Sequence, residues 1–258
     1  NYGGKRYMTL EELKKLIDEK EYKKVYNFCT KEENRKDPLI QLQLAKMLFR
    51  QGKLEEALKI CDQFPDDKCV TSQKIGILIQ QRKYKEALAL CNRYENDLRI
   101  ESQRITILIK MGKCREALKV CDQFPDYEPI QSQKISILMF QEKYKEALVI
   151  CDQYLTNSRI LSQKVTILKR MNQLEDAIEL CDSCLENEVI QSQKIAILVL
   201  QKKYNEALKV CNQFPNYEPI QSQKVMILLQ QEKYEEAYTL CQKYPDNIRM
   251  KTQKKVIL

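Results

Sequence analysis

The sequence predicts an all-α solenoid of stacked antiparallel helix pairs, about eight repeats long. Three observations carry this reading. The first is a strict thirty-residue period, with Cys61, Cys91, Cys121, Cys151, Cys181, Cys211 and Cys241 forming one column and Ala57 to Ala237 another. No insertion breaks the count from Gln43 to the last residue. The second is composition: glycine and proline are scarce, tryptophan is absent, and Leu, Ile, Lys, Glu, Gln and Ala dominate. The third is an apolar stripe at helical spacing, Tyr84, Ala87, Leu88 and Cys91 at i, i+3, i+4 and i+7.

In chain order, residues 1–8 open on Asn1-Tyr2-Gly3-Gly4 and read as an added remnant or a flexible N-terminus. Residues 9–38 form a diverged first helical unit. Thr9-Leu10-Glu11-Glu12 is a capping-box pattern, and Tyr22 to Cys29 keeps the spacing of Tyr84 to Cys91. Residues 39–258 are the regular repeats, truncated after the first helix of the last one. Within a repeat, helix A is expected over Glu101–Lys110 and helix B over Arg115–Phe124, each about ten to twelve residues long. Between them Met111-Gly112-Lys113 supplies a C-terminal stop, matched by Gln51-Gly52-Lys53 and Gln81-Arg82-Lys83. The link Pro125-Asp126-Tyr127-Glu128-Pro129 follows helix B, and its prolines end that helix. Links this short set consecutive helices antiparallel. Helix A spreads Ile100, Ile105, Ile107 and Leu108 around its axis, as suits a helix packed on both sides. Helices of this length are marginal alone, so stacking must stabilise them. Ala at the centre of helix B lets a neighbour approach closely. Thr252 to Leu258 is a helix A without a helix B. The chain is therefore expected to be a fragment of a longer protein, or to have Ile257 and Leu258 covered by something else.

The runs Gly112-Lys113-Cys114-Arg115-Glu116-Ala117-Leu118, Lys83-Tyr84-Lys85-Glu86-Ala87-Leu88 and Lys233-Tyr234-Glu235-Glu236-Ala237-Tyr238 resemble the turn and second-helix start of tetratricopeptide repeats. The likeness extends over nearly the whole chain. It departs from that family in its period, thirty residues rather than about 34. It also lacks the family's Trp and Leu-Gly signature, which Ser-Gln-Lys-Ile replaces. The resemblance implies a right-handed superhelix with helix A on the concave surface and helix B on the convex one. It further implies a scaffold that grips a peptide or partner protein in that groove.

Residue chemistry speaks against catalysis. The chain has no histidine, which removes the commonest general base and metal ligand. No glycine-rich phosphate loop is present. Glu56, Glu86, Glu116, Glu146, Glu206 and Glu236 lie in the first turn of each helix B, where a carboxylate meets the helix dipole favourably. Cys181-Asp182-Ser183-Cys184 has no second pair to complete a four-ligand zinc site, so it reads as core. No metal, cofactor or enzymatic activity is expected. The cysteine column cannot staple itself, because packed helix layers sit roughly 8–10 Å apart and a disulfide needs Cα atoms within about 7 Å. A reducing, cytoplasmic setting follows. There is no apolar run near twenty residues and no visible signal peptide.

Two columns remain as candidate binding rows on helix A. Lys74, Arg104, Lys134, Lys164, Lys194, Lys224 and Lys254 would form a basic stripe, either a solvated ridge or a groove for an acidic peptide or a phosphate backbone. Gln73, Gln103, Gln133, Gln163, Gln193 and Gln223 would either bond an extended ligand or form an internal ladder. The favoured function is a protein-interaction scaffold with a protein or acidic peptide as ligand. One alternative is non-sequence-specific binding of single-stranded nucleic acid, consistent with the formal charge of +8. Another is a targeting or regulatory segment of a larger enzyme. The chain is expected to be a monomer, with association available through its uncapped C-terminal end.

Overall fold

The computed structural model describes residues 8–257. All but the last residue of the expected remnant at 1–8 lies outside the described residues, as do the side chains of Ile257 and Leu258 whose covering was in question. Two compact units divide the chain at Ile130. The first contains α1 (Leu10–Asp18), α2 (Tyr22–Cys29), a 3-10 turn (Glu32–Asn34), α3 (Pro38–Arg50), α4 (Leu54–Cys61), α5 (Lys68–Gln80), α6 (Tyr84–Cys91), α7 (Leu98–Lys110) and α8 (Cys114–Asp122). Helix α9 (Glu128–Phe140) begins at the division. The second unit continues with α10 (Tyr144–Cys151), α11 (Ser158–Arg170), α12 (Leu174–Asp182), α13 (Glu188–Leu200), α14 (Tyr204–Gln213), α15 (Glu218–Gln230), α16 (Tyr234–Gln242) and α17 (Ile248–Ile257). Every element among the described residues is helical.

Helices A and B are unequal. From α3 to α15 the A helices have 13 residues, and the B helices have between 8 and 10. Helix A starts earlier than its apolar pattern suggested, at Leu98 rather than Glu101, because Asp97 caps it. The Asp97 carboxylate accepts from the Arg99 and Ile100 amides at 3.1 Å each. That cap is itself a column: Asp37, Asp67, Asn157, Asn187 and Asn247 do the same work. Tyr127 and Tyr217 interrupt it, and there Pro129 or Pro219 takes the second helical position. A proline has no N–H to leave unsatisfied, so it opens the helix without a side-chain cap. Pro129 therefore starts the next helix rather than ending the last one; Pro125 alone stands in the stopping position. Helix B closes at Asp122, short of Phe124, and α6 and α10 close one residue earlier still with Glu95 and Leu155 in place of the proline.

The turn from A to B places one residue in the left-handed region in each repeat. Glycine fills it at Gly52 and Gly112, but Arg82, Glu142, Asn172, Lys202 and Glu232 adopt it with φ near 60°. The following amide reaches back to close the helix end, as in Lys143 N to Leu138 O at 2.9 Å.

Within each unit an A helix packs on its own B helix and on the next A helix. In the first unit Ala57, Ala87, Cys61 and Cys91 join Leu48, Ile75, Ile77 and Ile100 in one core. In the second, Ala177, Cys181, Ile190 and Ile197 form one layer, and Ala207, Cys211, Ile220 and Ile227 the next. The seven alanines are 0% exposed, so each B helix touches its neighbour where a larger side chain would not fit. The cysteines are likewise core: burial pushes Cys61, Cys181 and Cys211 up to about 12, and Cys91 and Cys151 to about 11.

Candidate interaction surface

With the stripes of both helices buried, one face of each A helix stays open. Its register is seen on α11 as Arg159, Gln163, Thr166 and Arg170, positions separated by about one turn each. Two candidate rows border or lie on this face, and the structure pairs most members of each inside the repeats.

The glutamines build a ladder. Ser132 Oγ donates to Gln163 Oε1 at 3.0 Å, while Gln163 Nε2 donates to Ser132 O and to Ser136 Oγ at 2.9 Å. One layer on, Ser162 Oγ donates to Gln193 Oε1, and Gln193 Nε2 donates to Ser162 O and Thr166 Oγ1. Ser192 and Gln223 repeat the first two of these bonds, with Ala196 at the hydroxyl position, and Ser72 and Gln103 form the rung in the first unit. Gln133 also holds an interaction. Of the two roles open to this column, the internal ladder is the one occupied.

The basic column turns away from the open face. Lys74 reaches back to Asp62 at 2.6 Å, Lys164 to Asp152 at 2.8 Å and Lys194 to Asp182 at 2.5 Å. Each carboxylate stands at the end of the preceding helix B, where a cation also meets the negative end of the helix dipole. Lys134 is engaged as well. The aspartate position before Lys224 is Asn212, and Lys224 forms no ion pair among the described residues; Lys254 lies 5.0 Å above the Tyr238 ring.

Arg104 departs from the pattern for a visible reason. In other repeats a second, buried glutamine closes helix B: Gln191 Nε2 donates to Cys181 O at 2.7 Å, and Gln221 Nε2 to Cys211 O at 3.0 Å. At that position Glu101 has no proton to give. Arg104 supplies it instead, donating to Cys91 O at 3.0 Å, to Asn92 Oδ1 at 2.6 Å and to Glu101 at 2.9 Å. This second glutamine column was not read from the sequence. Its signal was present in Gln41, Gln131, Gln191 and Gln221, which stand at multiples of thirty residues from one another.

What remains accessible differs between the units, each taken alone. In the second unit the open face carries Phe140, 80% exposed, Leu200, 65% exposed, and Met226, among Arg159, Arg170 and Arg249. A cleft of about 290 Å³ lies there, walled by Met139, Phe140, Ser162, Thr166 and Arg170. The only carboxylates on α11, α13 and α15 are the first residues Glu188 and Glu218. In the first unit the same face is basic, with Lys46 and Arg50 on α3 and Arg99 and Lys110 on α7. Sequence reasoning missed this face because its positions vary from repeat to repeat, whereas the constant columns drew the eye.

The fold and this face define a class: a tandem array of tetratricopeptide-like helix pairs presenting the A-helix side. No family model and no curated protein matches the chain. Among solved structures, it is similar to a tetratricopeptide repeat protein from Parabacteroides merdae ATCC 43184, with a TM-score of 0.56 and 15% identity over 84% of this chain and 97% of that one. It is also similar to yeast Tom70, with a TM-score of 0.70 and 16% identity over 96% of this chain and 57% of that one. The likeness is one of fold. No helix among the described residues is long and apolar enough to cross a membrane.

Proposed function

We propose that the chain is a protein-interaction scaffold that holds a peptide or partner protein against the open faces of its A helices, and that it acts by binding rather than catalysis. The observation that carries this reading is the second unit's face: Phe140, Leu200 and Met226 are left in solvent with arginines beside them and no carboxylate on the face. Large apolar side chains clustered on a surface and rimmed by polar groups mark a docking site, and aromatic, Met and Arg residues are those enriched at the centres of interfaces. The acid-free surround favours a partner whose own apolar residues are flanked by Asp or Glu. The rival reading, a nucleic-acid backbone tracking the Lys74-to-Lys224 row, loses its support because Lys74, Lys164 and Lys194 are paired with aspartates.

Photo-crosslinking tests the proposal. A benzoylphenylalanine replacing Phe140 or Leu200 should trap one dominant protein, and the same probe replacing Glu146 on helix B should not. Leu200→Glu combined with Arg170→Glu should abolish the crosslink from position 140. Equal trapping from both faces would defeat the assignment.

A further inference from the structure

The ladder lacks its hydroxyl at two rungs, Gly76 and Ala196, and only at Gly76 is the side chain missing altogether. Gln163 and Gln193 each use their amide twice, once on a serine carbonyl and once on the hydroxyl of Ser136 or Thr166. Gln103 bonds the Ser72 carbonyl at 2.8 Å in the same way, but the hydroxyl position is Gly76, so its second N–H has no acceptor there. Nothing in the backbone demands a glycine. Gly76 lies inside α5 without a positive φ, and a Cβ there would meet only Gln103 Nε2, at 3.9 Å. A glycine within a helix is destabilising relative to alanine. Its effect is a bare notch on the open face with an amide donor on its rim.

Basic residues stand in the neighbouring registers of the open face. Lys46 occupies the same register as Gly76 one helix earlier, and Arg50 stands one turn further along α3. Partial burial and the like charges of Arg99, Lys14 and Arg50 together hold the Lys46 ammonium below the usual lysine range. Lys14, Lys46 and Arg99 have no ion pair among the described residues; Arg50 shares Asp18 at 2.8 Å. Lys46 thus feels three like charges, of which only Arg50 is held in an ion pair among the described residues, a setting that favours a multivalent anion.

We propose that the Gly76 notch, with Gln103, Lys46 and Arg99, is a binding site for a phosphate monoester carried by a partner polypeptide. The inference rests on the interaction-scaffold reading and gives it, in the first unit, a specific ligand chemistry. A phosphate dianion brings nearly two charges and three acceptor oxygens to one point. It can bridge cations from α1, α3 and α7 together while accepting the free amide. Carboxylates spaced along a peptide deliver one charge at a time. A nucleic-acid backbone needs cations continued along the row, and the next positions after Gly76 in that register are Thr106 and Ser136.

The test titrates the whole chain, labelled with 15N-glutamine, with O-phosphoserine and inorganic phosphate. It then compares a glycine-flanked phosphoserine peptide with its serine and aspartate counterparts and with a single-stranded oligouridine. Phosphoserine should shift the Gln103 side-chain amide, and the phosphopeptide should bind at least tenfold more tightly than either counterpart. Binding should weaken below about pH 6 as the phosphate takes up a proton. Gly76→Ser supplies the missing hydroxyl and completes the rung; it should keep the fold and reduce phosphopeptide affinity fivefold or more, as should Lys46→Gln. An aspartate peptide as tight as the phosphopeptide, an unaffected Gly76→Ser variant, or an oligouridine that binds more tightly with the same dependence would each overturn the proposal. If it fails while crosslinking from position 140 persists, only the phosphate site falls and the scaffold stands.

Discussion

Replacing Arg104 by lysine asks whether the buried connection between α7 and the end of α6 works as a unit. The Arg104 and Glu101 side chains are 16% and 6% exposed, and the guanidinium serves Glu101, Asn92 and Cys91 O at once. Lysine keeps the charge but offers a single donor centre, so it cannot hold all three. The Cys91 carbonyl then loses the guanidinium while keeping the Tyr94 amide at 3.1 Å, so the loss is that of one hydrogen bond to a charged group, about 1.5–3 kcal/mol. Arg104→Ala would also strand the Glu101 carboxylate, for a loss of about 3–5 kcal/mol. The remedy is written in the neighbouring repeats, where Gln191 caps Cys181 O and Lys194 pairs with Asp182. Glu101→Gln with Arg104→Lys should therefore recover to within about 1 kcal/mol of the parent, since the amide again reaches the carbonyl. The measurement is native-state hydrogen exchange of the α6 and α7 amides, because neighbouring repeats need not unfold together. If the double variant is as unstable as Arg104→Lys, the two positions are independent and the exchange of donors is not real.

Three further perturbations bear on the stack and its chemistry. Ala147→Glu places a charge at a contact with no exposed area and should destabilise the second unit by more than about 4 kcal/mol, seen as lost helical circular dichroism and a larger hydrodynamic radius. A native thiol-labelling experiment at pH 8 should modify Cys69 first and Cys114 and Cys184 next, while Cys61, Cys151 and Cys211 react only on unfolding, their thiols being buried and held far above their ordinary range. Lys68, 2.9 Å away, and the capped amides of Ile100 and Arg99 depress the Asp97 carboxyl against the opposing effect of burial. A carboxylate with a lowered folded-state pKa contributes stability above its unfolded value, near 4, and loses it as pH falls further. Exchange at the α7 N-terminus should accelerate below about pH 4. Asp97→Asn should remove that acid dependence while keeping the cap.

The helix pairs, their order and their small-residue contacts were legible in the chain, because Ala57 to Ala237 and Cys61 to Cys241 are packing positions and packing repeats wherever the backbone does. Helix starts were read three residues late, since Asp97 and Asn157 cap by a local side-chain bond that leaves no trace in the apolar pattern. The partners of Gln163 and Lys194 were beyond the sequence for another reason. A glutamine amide or a lysine ammonium satisfies a ligand, a carbonyl or an aspartate equally well, and only the placement of Ser132 and Asp182 in space chooses among them. Once those partners are taken, the face left open belongs to positions that vary, Phe140, Leu200, Lys46 and Gly76. Periodicity reports what each layer owes its neighbour. What the surface offers to others depends on which side chains the stack has already paired, and that is decided only when the layers meet.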